Sequence, residues 1–240
     1  MRILIVNDDG VGALQLPNLI RWCEKLGEVT TVVPKYEQSG KSHGIEIHKS
    51  FEAKQVELEP GMTVWTVDST PADCVRFAVL CMKIPFDLVI SGVNRGLNIG
   101  ADMMYSGTLG AASEAVNQGI PAVALSTTFG NYDRATEELD RIWAFFRKHH
   151  LLEKHILYNV NIPGQPKGIR ITRMGGPYYS DDFAKEENDM YRPCGKPIWE
   201  DRGDDTLDTD ATLHGYISVS PLTIDRTDRN VFAQLNALEE

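Results

Sequence analysis

The stretch Met1–Gly10, MRILIVNDDG, decides the fold class of this chain. Its residues 3–6 form a short apolar, largely β-branched run, which is typical of a strand buried on both faces. Two adjacent acids, Asp8 and Asp9, follow where that strand ends. Ligands of α/β proteins bind at this carboxyl edge of a parallel sheet. The pattern predicts an α/β fold with a ligand site after the first strand. A solvated turn is the alternative, because Asn, Asp and Gly are also common turn residues.

The Asp8–Asp9 pair predicts a cation site. Adjacent carboxylates repel each other unless a positive charge lies between them, and no Lys or Arg stands beside them in the sequence. Mg²⁺ and similar hard divalent cations take carboxylate oxygens as ligands. Asp8 and Asp9 are therefore candidate metal ligands.

The overall composition is that of an ordinary globular chain. It has 240 residues, of which 42% are hydrophobic and 24% charged, and we expect one domain with a core over about 1–174 and a C-terminal arm with closing elements over about 175–240. The net charge of −10 argues against nucleic-acid binding, which needs clustered Lys and Arg. No apolar run could cross a bilayer, so we expect no membrane partner. The chain opens on a predicted core strand, so we expect no signal peptide and a cytoplasmic location.

Periodicity predicts a βαβ opening. Helical spacing over 13–26 is followed by a strand over 29–33, which implies a parallel sheet with a right-handed crossover. Three cysteines fall in predicted helices and are interpreted as small core residues, and no C-x-x-C pair or zinc spacing is present. The predicted shared helical face comprises Leu14, Leu16, Leu19, Ile20, Cys23 and Leu26, and the core cysteines are Cys23, Cys74 and Cys81.

Two later segments are candidates for binding. The polar loop 35–50 is long for a compact domain, and such loops are often functional, although a flexible surface excursion is equally consistent. It contains His43, the histidine that we take as a candidate site residue. The second segment is the glycine-rich stretch 91–112, in which a helix begins around Ser106, Gly107 and Thr108. Free N–H groups, a positive dipole end and two hydroxyls make this an anion site, and a plain Ser/Thr-capped loop is the alternative.

The C-terminal part has a different character. Residues 178–199 are polar and too poor in apolar residues for a core of their own, which indicates an extended hairpin or arm that packs on a partner subunit. The acidic run that follows is predicted to be solvated, and residues 214–222 close the chain with a strand. The acids of the run are Asp201, Asp204, Asp205, Asp208 and Asp210.

Several well-known sites are excluded by their spacing. The chain has no phosphate-binding P-loop, no complete dinucleotide fingerprint after Gly10, and no G-x-S-x-G nucleophile elbow. A phosphoacceptor receiver domain also begins with a strand and an acidic pair. It needs an aspartate after its third strand, whereas Ser91 and Gly92 follow the strand at 87–90.

The order and spacing of six motifs resemble the SurE family of survival-protein nucleotidases. The similarity runs from residue 1 to about 222 and weakens over 11–16 and 178–205. These departures bear on the base preference and the assembly that the resemblance implies, more than on the metal site. The motifs are NDDG (7–10), QSG (38–40), TPADC (70–74), SGVNRGLNIG (91–100), YSGTLGAA (105–112) and GYISVSPL (215–222).

The resemblance implies a Rossmann-like three-layer parallel sheet, an exchanged C-terminal arm, and a homodimer or homotetramer. It also implies one divalent cation per subunit, Mg²⁺ or Mn²⁺, and hydrolysis of nucleoside 5′- and 3′-monophosphates. The family's metal ligands fall on Asp8, Asp9, Ser39 and Asn94, all of which offer oxygen atoms.

The resulting hypothesis assigns a role to each site residue. Asp8, Asp9 and Asn94 take part in catalysis through the ion, which activates a water molecule and withdraws charge from phosphorus. The remaining phosphate oxygens are held by Asn98, Ser106, Gly107 and Thr108. His43 is a candidate for protonating the leaving oxygen. Two alternatives stay open: a metal-dependent phosphatase for other phosphate esters or polyphosphate, and a non-catalytic nucleotide sensor.

Overall fold

A nine-stranded sheet forms the centre of the computed structural model, which describes residues 1–238. The strands of this sheet are β1 (Arg2–Val6), β2 (Glu28–Pro34), β3 (Ala53–Glu59), β4 (Met62–Val67), β5 (Leu88–Arg95), β6 (Ala122–Thr127), β7 (Leu157–Ile162), β8 (Gly168–Ile171) and β11 (Tyr216–Pro221). Two further strands, β9 (Phe183–Lys185) and β10 (Tyr191–Pro193), lie outside it. The helices are α1 (Leu16–Glu24), α2 (Pro71–Arg76), α3 (Gly107–Asn117), α4 (Tyr132–Lys148), α5 (Leu151–Lys154), α6 (Asp208–Leu213) and α7 (Arg229–Leu235).

The sheet is mainly parallel, which confirms the predicted α/β class. Its order is β3-β4-β2-β1-β5-β6-β7-β11-β8. Antiparallel pairing occurs only where β3 meets β4 and where β11 meets β7, among the strand pairs of this described sheet. β11, the last strand in the chain, lies between β7 and β8.

The central strand β1 is buried on both faces because its apolar side chains alternate between two cores. Ile3 and Ile5 pack with α1 and α4 on one face, whereas Leu4 and Val6 pack with α2 and α3 on the other. The result is a three-layer arrangement. A strand that feeds two cores cannot slip by one residue without exchanging its two faces. The loop that follows β1 is therefore held in a defined position.

Two predicted core residues lie on the surface. Helix α1 begins at Leu16, not at residue 13, and Leu14 in the preceding turn is 84% exposed. Cys81 ends a π-helical turn (Phe77–Cys81) after α2 and is exposed, whereas Cys23 and Cys74 are buried as predicted. Leu14 lies before the first residue of α1, and Cys81 lies at the last residue of its turn. Neither residue is therefore on a helical face that packs on the sheet.

The predicted arm contains a two-stranded antiparallel hairpin of β9 and β10 outside the main sheet. The prediction of a solvated acidic run after it is wrong for two of its members. Asp208 and Asp210 in α6 have no solvent exposure.

Among residues 1–238 no helix combines the length and the apolarity that a bilayer crossing requires, and the longest, α4, has 17 residues.

Candidate active site

The candidate site lies where the chain leaves β1, between β2 on one side and β5 on the other. This is the switch point of the sheet, at which α/β proteins bind ligands. The buried Asn7 side chain closes the turn: its Nδ2 donates to the Gly10 carbonyl at 3.0 Å, and its Oδ1 accepts from the Gly10 N–H at 3.1 Å. Gly10 has a φ of +81°, and a Cβ there would meet the Tyr36 backbone. The turn thus holds Asp8 and Asp9 at the sheet edge.

Asp8 is a buried carboxylate, with 3% of the residue exposed. Thr108 Oγ1 donates to its Oδ1 at 2.6 Å. A Cβ on Gly107 would lie 2.9 Å from Asp8 Cβ, so the start of α3 comes this close only because residue 107 is glycine. Burial raises the pKa of Asp8 to about 6, although the Thr108 hydrogen bond opposes the rise.

Asp9 is held by donors from two other segments. Its Oδ2 accepts from Gln15 Nε2 at 2.8 Å and from the Arg95 backbone N–H at 3.1 Å. Burial is the main cause that raises the pKa of Asp9, and the charge of Glu37 adds to it. Gln15 also donates to the Val93 carbonyl, so this buried amide ties the β1 turn to the end of β5. Sequence reasoning missed Gln15, since its role shows only through these long-range contacts.

Asn94 and Ser39 reach the same edge from different elements. Asn94 lies at the irregular end of β5, and its Nδ2 donates to the Gly96 carbonyl at 2.9 Å, which leaves the amide oxygen as an acceptor. Ser39 is brought near by Gln38, whose N–H donates to the Asp8 carbonyl at 2.7 Å. The Ser39 hydroxyl donates to Glu37 Oε1 at 2.8 Å, so its oxygen lone pairs remain available.

This donor set fits a hard divalent cation. The buried carboxylate of Asp8 and the partly buried one of Asp9 are adjacent, and among residues 1–238 neither forms an ion pair with a Lys, Arg or His side chain. The neighbouring candidates, Ser39 and Asn94, add neutral oxygens. In the described part of the chain no group of three or more His, Cys, Asp or Glu side chains is arranged to hold a metal ion. The oxygen-only chemistry matches Mg²⁺ or Mn²⁺ better than a thiolate- or imidazole-binding metal.

The four predicted phosphate-binding residues divide into two groups. Ser106, Gly107 and Thr108 start α3 directly beside Asp8, and Ser106 Oγ caps the helix by accepting from the Leu109 N–H at 3.2 Å. Asn98 lies over the ends of β6 and β7 instead. Its Nδ2 donates to Ser126 Oγ at 2.8 Å and its N–H donates to Asn161 Oδ1 at 2.7 Å. The Asn98 amide group is thus already part of a buried network.

His43 lies along α3, away from the helix start. Its Nε2 is 2.8 Å from Oε2 of the buried Glu114, two turns after Gly107. Burial tends to raise the pKa of Glu114, but hydrogen bonds from His43 and Gln118 outweigh it, and the pKa is lowered. His43 lines a cavity of about 500 Å³ that also reaches Ser106.

A second cavity, of about 770 Å³, opens beside the candidate metal ligand Ser39 and the Gly96 that follows Asn94. We call it the aromatic cavity. Four aromatic side chains line it: Tyr105, Phe129, Tyr178 and Tyr179. Tyr105 immediately precedes the Ser106 cap, so one wall of this cavity is next in sequence to the start of α3.

The family of this chain follows from comparison with known proteins. A family model described as "Survival protein SurE" matches residues 3–181. The chain belongs to the SurE family. Among similar curated proteins is the 5'-nucleotidase SurE of Gemmatimonas aurantiaca, 42% identical over 250 residues, with 96% of each chain covered. The 5'-nucleotidase SurE of Synechococcus elongatus is 38% identical over 259 residues, with 99% of each chain covered.

A solved SurE structure shares the fold. The crystal structure of the SurE protein from Aquifex aeolicus superposes with a TM-score of 0.80, at 32% sequence identity, and all of each chain is covered. The SurE resemblance predicted from the six motifs is thereby confirmed, and with it the α/β fold class.

Proposed function

We propose that this chain is a divalent-metal-dependent phosphatase that hydrolyses nucleoside 5′- and 3′-monophosphates to a nucleoside and phosphate. The observation that carries the proposal is the Asp8–Asp9 pair, of which Asp8 is buried and Asp9 partly buried; Asp8 lies against the N-terminus of α3, and no cationic side chain in residues 1–238 is paired with either carboxylate. The family membership and the names of the relatives support the same activity.

Asp8, Asp9, Ser39 and Asn94 are the proposed ligands of one Mg²⁺ or Mn²⁺ ion per subunit. When bound, such an ion supplies Lewis-acid stabilisation of the phosphoryl group and a water molecule of lowered pKa. The protein orients these ligands through its own hydrogen bonds: Thr108 holds Asp8, and Gln15 with the Arg95 N–H holds Asp9. Fixed ligand orientation of this kind preserves metal affinity.

The start of α3 is the proposed phosphate cradle. The backbone N–H groups of its first turn have no partner within the helix, and they carry the positive end of the helix dipole. The Thr108 side chain is committed to Asp8, so Thr108 contributes through its position in this turn, with Gly107 and the Ser106 hydroxyl beside it. Phosphoryl transfer relies mainly on such positioned charge stabilisation.

Asn98 and His43 have secondary proposed roles. Asn98 is part of a buried amide network that holds the glycine-rich loop over β6 and β7, and the second N–H of its Nδ2 is the proposed donor to a phosphate oxygen. His43 is the proposed donor of a proton to the leaving oxygen. Its Nε2 is held by Glu114, so Nδ1 is the atom that would donate.

We further propose that the chain is a cytoplasmic homodimer or homotetramer with one α/β domain, a core over about 1–174, and a C-terminal arm with closing elements over about 175–240. The hairpin of β9 and β10 supports the assembly, because it exposes Phe183, Met190 and Tyr191 outside the main sheet. Exchange of this arm between subunits would bury those side chains.

The test is a phosphate-release assay on a panel of nucleoside 5′- and 3′-monophosphates with Mg²⁺, Mn²⁺ or a chelator. We expect metal-dependent release and a loss of about 100-fold or more in Asp9→Asn, because a catalytic ion contributes several kcal/mol of stabilisation. Asp189→Asn, at the hairpin turn between β9 and β10, removes the same charge away from the site and serves as the matched control. Unchanged release in Asp9→Asn would contradict the proposal, and binding without release would indicate a sensor.

A further inference from the structure

The aromatic cavity has an acidic wall that the proposed chemistry does not use. Asp102 and Asp181 line it together with the four aromatic side chains, and neither is among the proposed metal ligands. Within residues 1–238 no Lys or Arg lines this cavity. Its volume of about 770 Å³ falls in the usual range for small-molecule sites.

The aromatic side chains offer flat, accessible surfaces. Tyr105 is 59% exposed and Phe129 is 71% exposed. Tyr178 and Tyr179 lie edge to face with ring centroids 5.4 Å apart. Solvent-accessible aromatic rings around a cavity stack on planar groups such as nucleobases, and every base has such a face. The cavity therefore suits the uncharged, planar part of a nucleotide.

One of the two carboxylates, Asp102, is held in the cavity wall by a hydrogen bond. Asp102 Oδ2 accepts from the Tyr179 N–H at 2.8 Å, so Asp102 also positions one of the rings. Burial is the main cause that raises the pKa of Asp102, and the charge of Asp181 adds to it, as expected for two like charges near each other. Asp181 itself is exposed.

Arg95 is a cation that lies beside one ring of the cavity lining and acts on Asp9. The Arg95 guanidinium packs on the Phe129 ring at 4.0 Å from its centroid, and its charge acts on Asp9. It is not part of the cavity lining. A substrate with one phosphate at the candidate metal site would thus meet positive charge at that end and negative charge along the cavity.

We propose that Asp102 and Asp181 are specificity-determining residues, which admit the uncharged nucleoside of a monophosphate and exclude substrates that would place further phosphates in the aromatic cavity. The excluded class comprises inorganic polyphosphate and nucleoside triphosphates. Each added phosphate would bring negative charge next to two carboxylates in a cavity that no Lys or Arg of residues 1–238 lines, and neighbouring like charges repel. This inference rests on the proposed function, since it assumes that one phosphate is bound at Asp8 and Asp9.

The experiment compares kcat/KM for a nucleoside monophosphate, the matching triphosphate, tripolyphosphate and p-nitrophenyl phosphate. Free Mg²⁺ is held constant, because polyphosphates chelate it. Asp181→Asn and Asp181→Lys are the test variants, and Asp189→Asn and Asp189→Lys are the matched controls. Asp102→Asn is added to Asp181→Asn as a double variant, since its side-chain oxygen still accepts from the Tyr179 N–H.

We expect Asp181→Asn to raise the tripolyphosphate-to-monophosphate ratio of kcat/KM by about threefold at low salt. The double variant and Asp181→Lys should raise it by about tenfold, and 0.5 M salt should reduce each effect because exposed charges are screened. Both control variants should keep the wild-type ratio.

The failures of the two proposals are distinguishable. Normal monophosphate hydrolysis with an unchanged ratio in Asp181→Asn, Asp181→Lys and the double variant would overturn the charge filter and leave the nucleotidase intact. Efficient tripolyphosphate hydrolysis by the wild type would overturn it as well. Absence of metal-dependent release from all four substrates would overturn the proposed function and this inference with it.

Discussion

Asp8 shows at the scale of one residue how this protein combines two conflicting requirements. A buried carboxylate without a cationic partner is destabilising, because burial disfavours the charged form. In the proposed metal site the same residue is useful, because a bound cation would offset the free-energy cost of burying the charged carboxylate. Its hydrogen bond from Thr108 orients the side chain but does not neutralise it. The carboxylate is therefore prepared for a positively charged ligand.

We predict that Asp8→Asn stabilises the metal-free protein at pH 7.5. The pKa of Asp8 rises from 3.8 to about 6 on folding. Ionisation above pH 6 thus opposes folding, at an order of 3 kcal/mol for a rise of this size. Asparagine removes the charge and keeps an oxygen for the Thr108 hydroxyl. We expect the free energy of unfolding to increase by about 1–2 kcal/mol in urea titrations with a chelator.

The same variant should lose its response to the ion. Mg²⁺ should raise the Tm of the wild type by preferential binding to the folded state, and it should not raise the Tm of Asp8→Asn. The exposed Asp182→Asn serves as the control, with wild-type stability and a wild-type Mg²⁺ response. A metal-free Asp8→Asn protein less stable than the wild type would contradict the prediction.

Helix α6 and the loop before it show how one element organises others through buried acids. Asp208 accepts from the Gly100 N–H at 3.1 Å and from the Gly175 N–H at 2.8 Å. Asp210 accepts from the Arg202 and Asp204 N–H groups, each at 3.0 Å. These carboxylates accept hydrogen bonds from backbone N–H groups that have no carbonyl partner in a helix or strand. They thereby connect the glycine-rich loop, the start of the arm and α6.

His214, at the end of α6, makes this region sensitive to pH. Its Nδ1 is 2.7 Å from Asp205 Oδ1, and its Nε2 is 3.1 Å from Asp201 Oδ2. The Trp199 ring packs against it edge to face, and the charge of Asp210 acts on Asp201. Two carboxylate acceptors require both ring nitrogens to carry protons. The hydrogen bond with Asp205, followed by that with Asp201, raises the pKa of His214 above 6.5.

We predict that this pair of contacts stabilises the fold below pH 6.5 and is lost as the pH rises through the raised pKa. The sign follows because the folded state binds the proton more tightly than the unfolded state. The free energy of unfolding should fall by about 0.5–1 kcal/mol more in the wild type than in His214→Gln between pH 6 and pH 9, since the group is partly exposed. His150→Gln, a surface histidine, should keep the wild-type slope. Equal slopes for wild type and His214→Gln would contradict this assignment.

At the scale of the whole molecule, the C-terminal part exposes apolar side chains that the main core does not cover. Phe183 and Tyr191 on the hairpin are 64% and 57% exposed. Helix α7 has no buried residue and exposes Phe232 and Leu235. Apolar groups displayed on elements without a core of their own mark interaction surfaces. The proposed oligomer would cover them.

We predict that Phe183→Asp combined with Tyr191→Asp dissociates the assembly. Two charges in an apolar contact are destabilising unless they are paired. Light scattering after size exclusion should give the mass of a dimer or tetramer for the wild type and a lower mass for the double variant. Asn188→Asp, in the turn of the same hairpin, adds charge without removing an aromatic side chain and should keep the wild-type mass. A monomeric wild type, or an oligomeric double variant, would refute the hairpin as an interface.

Part of this architecture could be predicted from local sequence. The alternation within β1 and the cap at Ser106 are short-range features, and both act through residues a few positions apart. The SurE motifs were sufficient to predict the family and the fold class for the same reason, because each motif is a continuous segment of the sequence. Nearest-neighbour chemistry is enough to assign such features.

Other features depended on segments far apart in the chain. In the sequence, Asp208 and Asp210 are members of an acidic run that is predicted to be solvated. In the structure both are buried, and Asp208 accepts from the Gly100 N–H, 108 positions away. The role of Gln15 depends on Val93, and His43 meets Glu114 across 71 positions. The place of β11 between β7 and β8 is likewise a matter of topology. None of these contacts leaves a periodic signal in the sequence.

The sequence by itself determined which residues can bind a cation and a phosphate, because ligand chemistry belongs to side-chain type and the strand-end position belongs to local pattern. Only the tertiary structure decided that Asp8 is buried and Asp9 partly so, which donors orient the two carboxylates, and that an acidic aromatic cavity lies near them. The physical reason is that burial and electrostatic environment are set by whatever packs around a group, and here those neighbours come from β5, α3 and the arm rather than from β1 itself.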